Sequence, residues 1–218
     1  MRKRKQKKGI FCIEGLWDPD LRVTSTVRPI LELLRLHEGI EYIHREYATR
    51  EELEFYLERW TQRRYAAFPI LYLASHGMES GVEIQGKVYK LSRMARLLEG
   101  KCEDRVLMFS SCSTLGIEKR KLQRFVRKTG ALGVCGYRVD VDWMKSLAFE
   151  LLLFSQMQRN EFSGRGISAI HKAADVIAGS FPELDFRMAT EKDTAEATAK
   201  ARRKVAAAEK KQRKAAAR

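Results

Sequence analysis

Two residues in this chain pair naturally as nucleophile and base, and each stands at the end of an apolar run. Phe68 to Gly77 (FPILYLASHG) is hydrophobic up to His76, and Arg105 to Thr114 (RVLMFSSCST) is built the same way up to Cys112. Apolar, β-favouring runs without polar alternation predict strands buried on both faces. In an open α/β sheet the site lies beyond the carboxyl ends of parallel strands, so two such neighbours would present an imidazole and a thiol to one crevice. A thiolate attacks carbonyl carbon, and a nearby imidazole can take the thiol proton and later protonate the leaving amine. The expected machinery is therefore a Cys112–His76 dyad, with the backbone N–H groups of Gly77 and Cys112 as donors to the developing oxyanion. A glycine at 77 leaves room for substrate and tolerates unusual dihedrals. This chemistry calls for no cofactor.

The elements that must position the pair follow from periodicity. Gly9 to Gly15 (GIFCIEG) predicts a first strand, closed by the turn Trp17-Asp18-Pro19-Asp20. A helix follows, capped by Thr24, Ser25 or Thr26, with Val27, Ile30, Leu31 and Leu34 on one face and Gly39 at its end. Glu41 to Ala48 alternates as a strand near the sheet edge, and Leu53, Tyr56, Leu57 and Trp60 form the stripe of a second helix. After His76, Gly81 to Leu91 alternates about Gln85-Gly86 as a hairpin. Ser92 caps a short helix, Glu118 to Lys128 predicts a basic one, and Ala131 to Val141 (ALGVCGYRVDV) predicts a further strand. A long apolar helix from Trp143 to Met157 and another from Gly166 to Ala178 complete the pattern. Strands alternating with helices imply a three-layer α/β sandwich around a mainly parallel sheet.

Composition bounds the rest. The chain has 218 residues, 44% of them hydrophobic, enough for one sizeable core. Of its net charge of +14, residues 1 to 8 carry six positive charges, and residues 191 to 218 carry ten Lys or Arg against four acids. The body is thus nearly neutral. The expected organisation is a basic extension at 1–8, a domain at 9–188 and a basic Ala/Lys/Arg-rich tail at 189–218, the tails offering non-specific contact to polyanions. Cys12, Cys102, Cys112 and Cys135 contain no CxxC spacing, which argues against a disulfide framework or a metal site and for a reducing cytoplasmic setting. Glu14 interrupts the first apolar run too early for an export signal, and Trp143 to Met157 contains Lys145 and Glu150 and is too short to span a bilayer, so no membrane role is expected. Cys12 and Cys135 read as strand packing, and His44 and His171 carry no assigned role.

A strand ending in His-Gly, then a hairpin and helix, then a strand ending in small residue and Cys, resembles the caspase-like (clan CD) cysteine peptidases. Ser75-His76-Gly77 and SSCST at Ser110 to Thr114 are nearest the CHAT pattern of that group. The matching order runs from about Gly9 to Ala178. The caspase QACxG signature is absent, Phe109 to Thr114 reading FSSCST. The resemblance implies a caspase-like sandwich and a cysteine endopeptidase acting on a protein or peptide. It also implies that the pocket before the scissile bond is lined by the segments following the first strand, the catalytic strands and the strand after the Cys. Those segments offer Asp18, Asp140 and Asp142, which favour a basic residue there. The alternatives are a catalytically idle interaction module of the same fold, and a nucleic-acid-associated protein binding through its tails.

Overall fold

The computed structural model describes residues 7–191 and 193. Most of the expected basic extension and tail lies outside the described residues. The central sheet has the order β2-β1-β3-β7-β8-β9, built from β1 (Ile10–Gly15), β2 (Tyr42–Tyr47), β3 (Ile70–Ala74), β7 (Val106–Ser110), β8 (Gly133–Tyr137) and β9 (Phe186–Thr190). All pairings are parallel except β8 with β9. A second, antiparallel sheet, β4 (Gly77–Met78), β5 (Gly81–Ile84) and β6 (Lys87–Lys90), projects from the end of β3.

Alternation along the inner strands sorts the core into two halves. Phe11, Ile13, Leu71, Leu73, Leu107 and Phe109 face α2 (Arg50–Trp60), α3 (Leu91–Leu97) and α4 (Lys119–Thr129). Their neighbours Ile10, Cys12, Ile70, Tyr72, Val106 and Met108 face α1 (Arg28–Glu38), α5 (Trp143–Met157) and α6 (Gly164–Ala178). Burial on both faces is why these strands read as continuous apolar runs. Each large side chain withdrawn from water contributes about 1.5–3 kcal/mol. The result is a mixed three-layer sandwich with a mostly parallel six-stranded centre. No helix among the described residues is long and apolar enough to cross a membrane.

Local chemistry explains the connections. Gln85 and Gly86 take φ of 50° and 73°, the two left-handed residues that a tight hairpin turn requires. Thr49 caps α2 with Glu52 in a reciprocal box. At helix α1 the N-cap is Val27, which has no capping side chain, while Thr26, one of the expected caps, accepts from Arg28 N at 3.1 Å through the hydroxyl that donates to Glu14 Oε2 at 2.7 Å. The strand expected over Ala131 to Val141 stops at Tyr137, since the chain beyond turns back and the Val139 carbonyl accepts from Ser113 N at 2.9 Å. Strand β9, with Ala189 and Thr190 buried, was not foreseen from its mixed sequence FRMAT.

Candidate active site

Strands β3 and β7 are parallel neighbours with Ala74 opposite Ser110. His76 and Cys112 each lie two residues past that pair, just beyond the ends of adjacent strands. The backbone of Gly77 runs close against that of Cys112. A Cβ on Gly77 would lie 2.2 Å from the Cys112 carbonyl oxygen and 2.8 Å from the Cys112 nitrogen, so only glycine permits this approach. Within the small sheet, Glu83 N donates to His76 O at 2.9 Å, which makes Gly77 and Val82 a pair that exchanges no hydrogen bond. The Gly77 N–H therefore points away from β5.

Turn chemistry fixes the cysteine. Ser113 has φ of 55°, its N–H is held by Val139 O, and its hydroxyl donates to Asp140 Oδ1 at 2.8 Å. Buried Thr114 donates to Gly81 O at 2.9 Å and sits 2.7 Å from Ser111 Oγ, clasping the cysteine turn to β5. Among the four free cysteines Cys112 alone is not buried. Burial pushes the Cys12, Cys102 and Cys135 thiols up and away from reactivity.

His76 is exposed and its Nε2 stands 2.6 Å from the Trp17 carbonyl oxygen. A carbonyl only accepts, so Nε2 carries the proton and, in the neutral ring, Nδ1 is the nitrogen left to accept. Trp17 packs edge-on against His76 and against Trp143, with ring centroids 5.3 and 4.7 Å away. Its indole Nε1 donates to Glu14 Oε1 at 2.6 Å. Glu14 is 2% exposed and also accepts from Val27 N at 2.7 Å, Thr26 Oγ1 at 2.7 Å and His44 Nε2 at 2.6 Å. Burial would raise its pKa, but the bonds from His44, Thr26, Trp17 and Val27 together hold it below the usual carboxylate value. Beneath the strand ends lies a second buried carboxyl, Glu150 of α5. Its partners are the hydroxyls of Tyr72, Tyr137 (2.8 Å) and Ser110, and burial pushes it up to about 7 against their opposing influence.

Trp17, Thr114, Glu14 and Glu150 were not identified from sequence as parts of the site. The available signal for the two acids was a lone carboxylate inside an apolar run. For Trp17 there was none, because it acts through its carbonyl. Ligand atoms of Glu14, His44 and Glu46 come within 4.8 Å of one another, the one metal-competent group among the described residues. The four donors on Glu14 already occupy the lone pairs that a cation would need, so hydrogen bonding accounts for the cluster.

The acids expected in the substrate pocket separate. Asp18 lines a cleft of about 500 Å³ together with Trp17, His76 and Glu83, and its Oδ1 accepts from Asp20 N at 2.8 Å. Asp140 is bonded to Ser113, next to the cysteine. Asp142 is exposed and caps α5, accepting from Lys145 N at 2.9 Å. Past the end of β8, Arg138 pairs with Asp185 and not with Asp140 or Asp142.

The layering and sheet order are those of a caspase-like fold. A crystal structure of caspase-1 from Spodoptera frugiperda matches with a TM-score of 0.56 at 10% identity, covering 86% of this chain and 89% of that one. No curated protein matches the chain. Residues 7–190 match the model described as "Family of unknown function (DUF6642)", and the chain belongs to that family.

Proposed function

We propose that this protein is a cysteine endopeptidase working through Cys112 and His76, with a preference for a basic residue before the scissile bond. The observation that carries the reading is the joint placement of the two residues at equivalent positions past adjacent strands, with His76 Nε2–H committed to Trp17 O. That commitment leaves Nδ1 to accept the Cys112 thiol proton. The thiolate then attacks the peptide carbonyl carbon, and the N–H groups of Gly77 and Cys112 receive the oxyanion. Collapse expels the amine, which takes the proton from His76. Water, deprotonated by the same imidazole, hydrolyses the thioester and returns the thiol. The SHG and SSCST runs favour the CHAT branch of the caspase-like peptidases over the caspases proper. Asp18 and Glu83, in a cleft lined by no Lys or Arg, support the basic preference.

The test is cleavage of a peptide library by the wild-type chain, Cys112→Ala and His76→Ala. Each variant is expected to lose at least about a thousandfold in rate while its melting temperature stays near wild type. Undiminished cleavage by Cys112→Ala would sink the dyad. A profile dominated by Asp or apolar residues before the cleaved bond would overturn the preference alone. A thiol-reactive probe separates an enzyme from an idle module, since labelling should require both residues.

A further inference from the structure

Across the β5–β6 turn from the His76 cleft lies a second cleft, of about 580 Å³, with the opposite charge. Arg50 from α2, Lys87 and Lys90 from β6, and Arg93 and Arg96 from α3 line it, with Glu51 as its one lining acid. Arg50 pairs with Glu51 and Arg93 with Glu54, each at 2.6 Å. Lys87, Lys90 and Arg96 are exposed, and among the described residues none of the three has a carboxylate partner within salt-bridge distance. Lysines on an exposed edge strand such as β6 guard it against pairing with another sheet. Arg96 has no such task, because it lies on α3, off the strand edge, and among the described residues it has no acid partner as Arg50 and Arg93 do.

The two clefts meet. Ile84 and Gln85 line both, so a chain passing the active site can cross the hairpin turn directly from one into the other. We infer that the basic cleft receives acidic residues of a protein substrate whose basic residue occupies the cleft beside His76. The inference rests on the peptidase reading and states which segments that site takes: those carrying a block of negative side chains a few residues from a basic one. Arginine forks match carboxylates in two-point contacts, and phosphoserine offers the same chemistry. A nucleic acid fits less well, since Tyr89, the lining aromatic, is 4% exposed and leaves no face for a base to stack on.

Fluorescence anisotropy on full-length Cys112→Ala protein tests this without turnover. The probes are an Arg-containing peptide flanked by four glutamates, its glutamine counterpart, its phosphoserine counterpart and a single-stranded RNA of equal charge. At low salt the glutamate peptide is expected to bind about tenfold tighter than the glutamine peptide, on the scale of several weak charge contacts acting together. Adding Lys87→Glu, Lys90→Glu and Arg96→Glu should reduce that advantage to within about twofold, with the melting temperature unchanged. The basic tails are identical in both proteins, so the difference reports the cleft. A phosphoserine peptide that gains and loses affinity in the same way supports the same recognition. An advantage that survives the triple change overturns the proposal, as does RNA losing more affinity than the acidic peptide. If the wild-type chain cleaves nothing, the peptidase reading falls while the anisotropy still decides what the cleft binds.

Discussion

Glu14 and Glu150 lie against the same face of the sheet, near the strand ends that carry His76 and Cys112, and their surroundings drive them in opposite directions. Glu14 meets an indole N–H, a backbone N–H, an imidazole nitrogen and one hydroxyl, and it is held ionised. Glu150 meets only hydroxyls, from Tyr72, Ser110 and Tyr137, and is pushed up to about 7. The difference lies in the donors. Indole and amide N–H groups cannot accept, so the Glu14 shell is satisfied only by a carboxylate. Hydroxyls rotate and can serve either protonation state. The ionised acid acts as an anchor: it ties both ends of the loop between β1 and α1, and that loop supplies the carbonyl that orients His76. The titratable acid joins β3, β7 and β8 from below.

The comparison breaks first at Glu14. Glu14→Gln places an amide among donors and leaves at least one of them unsatisfied in a buried setting, so unfolding free energy should fall by about 2–4 kcal/mol at neutral pH. Peptide cleavage should fall further than stability alone explains, through loss of the Trp17 to His76 contact. Because the folded pKa of Glu14 is depressed, its contribution is present above the unfolded value of about 4.3 and is lost as pH falls through the folded value. Urea midpoints for wild type and Glu14→Gln measure this, and a difference below about 1 kcal/mol at pH 7 would show that the shell tolerates a neutral occupant.

Glu150 should give the opposite slope. Its folded pKa of about 7 exceeds the unfolded value, so between about pH 4.3 and 7 the folded state binds more protons and stability falls as pH rises. The total is roughly 4 kcal/mol, flattening above pH 7. Burial is the cause, and Cys12, Tyr72, Cys135 and Tyr137 are the titratable groups facing the carboxyl. Glu150→Gln should abolish that slope and be as stable as wild type or more so at pH 8. Parallel curves for the two proteins from pH 5 to 8 would show that Glu150 is ionised throughout.

These two residues also mark how far the sequence was legible. His76 and Cys112 stood out because each is a polar interruption at the end of an apolar run, and register then had only to make the strands neighbours. Glu14 and Glu150 were visible as charges in apolar surroundings, but their partners lie far along the chain, Thr26 and His44 for one, Tyr72, Ser110 and Tyr137 for the other. Local periodicity carries no information about such pairings. Strand β9 was hidden because an edge strand with one open side needs no continuous apolar run. The overlong β8 reflects the same limit, since what ends it is a long-range bond from Ser113 N to Val139 O.

The smallest expected effect belongs to a third carboxylate, at the start of the helix that carries Glu150. Asp142 is exposed, and its Oδ1 accepts from Lys145 N as the N-cap of α5. A solvated acid has neither the rigid donor shell of Glu14 nor the burial of Glu150, so its contribution comes from the cap and from charge alone. Asp142→Ala removes both and should cost about 1 kcal/mol of stability. Asp142→Asn keeps a side-chain oxygen that caps nearly as well and removes only the charge. If the charge helps to seat a basic residue, both variants lose about two- to fivefold in kcat/KM on Arg or Lys peptides, the scale of an exposed charge contact, and little on neutral ones. We expect that result. Wild-type kinetics in Asp142→Asn on basic substrates would confine Asp142 to its helix and leave substrate charge recognition to Asp18 and Glu83 beside His76.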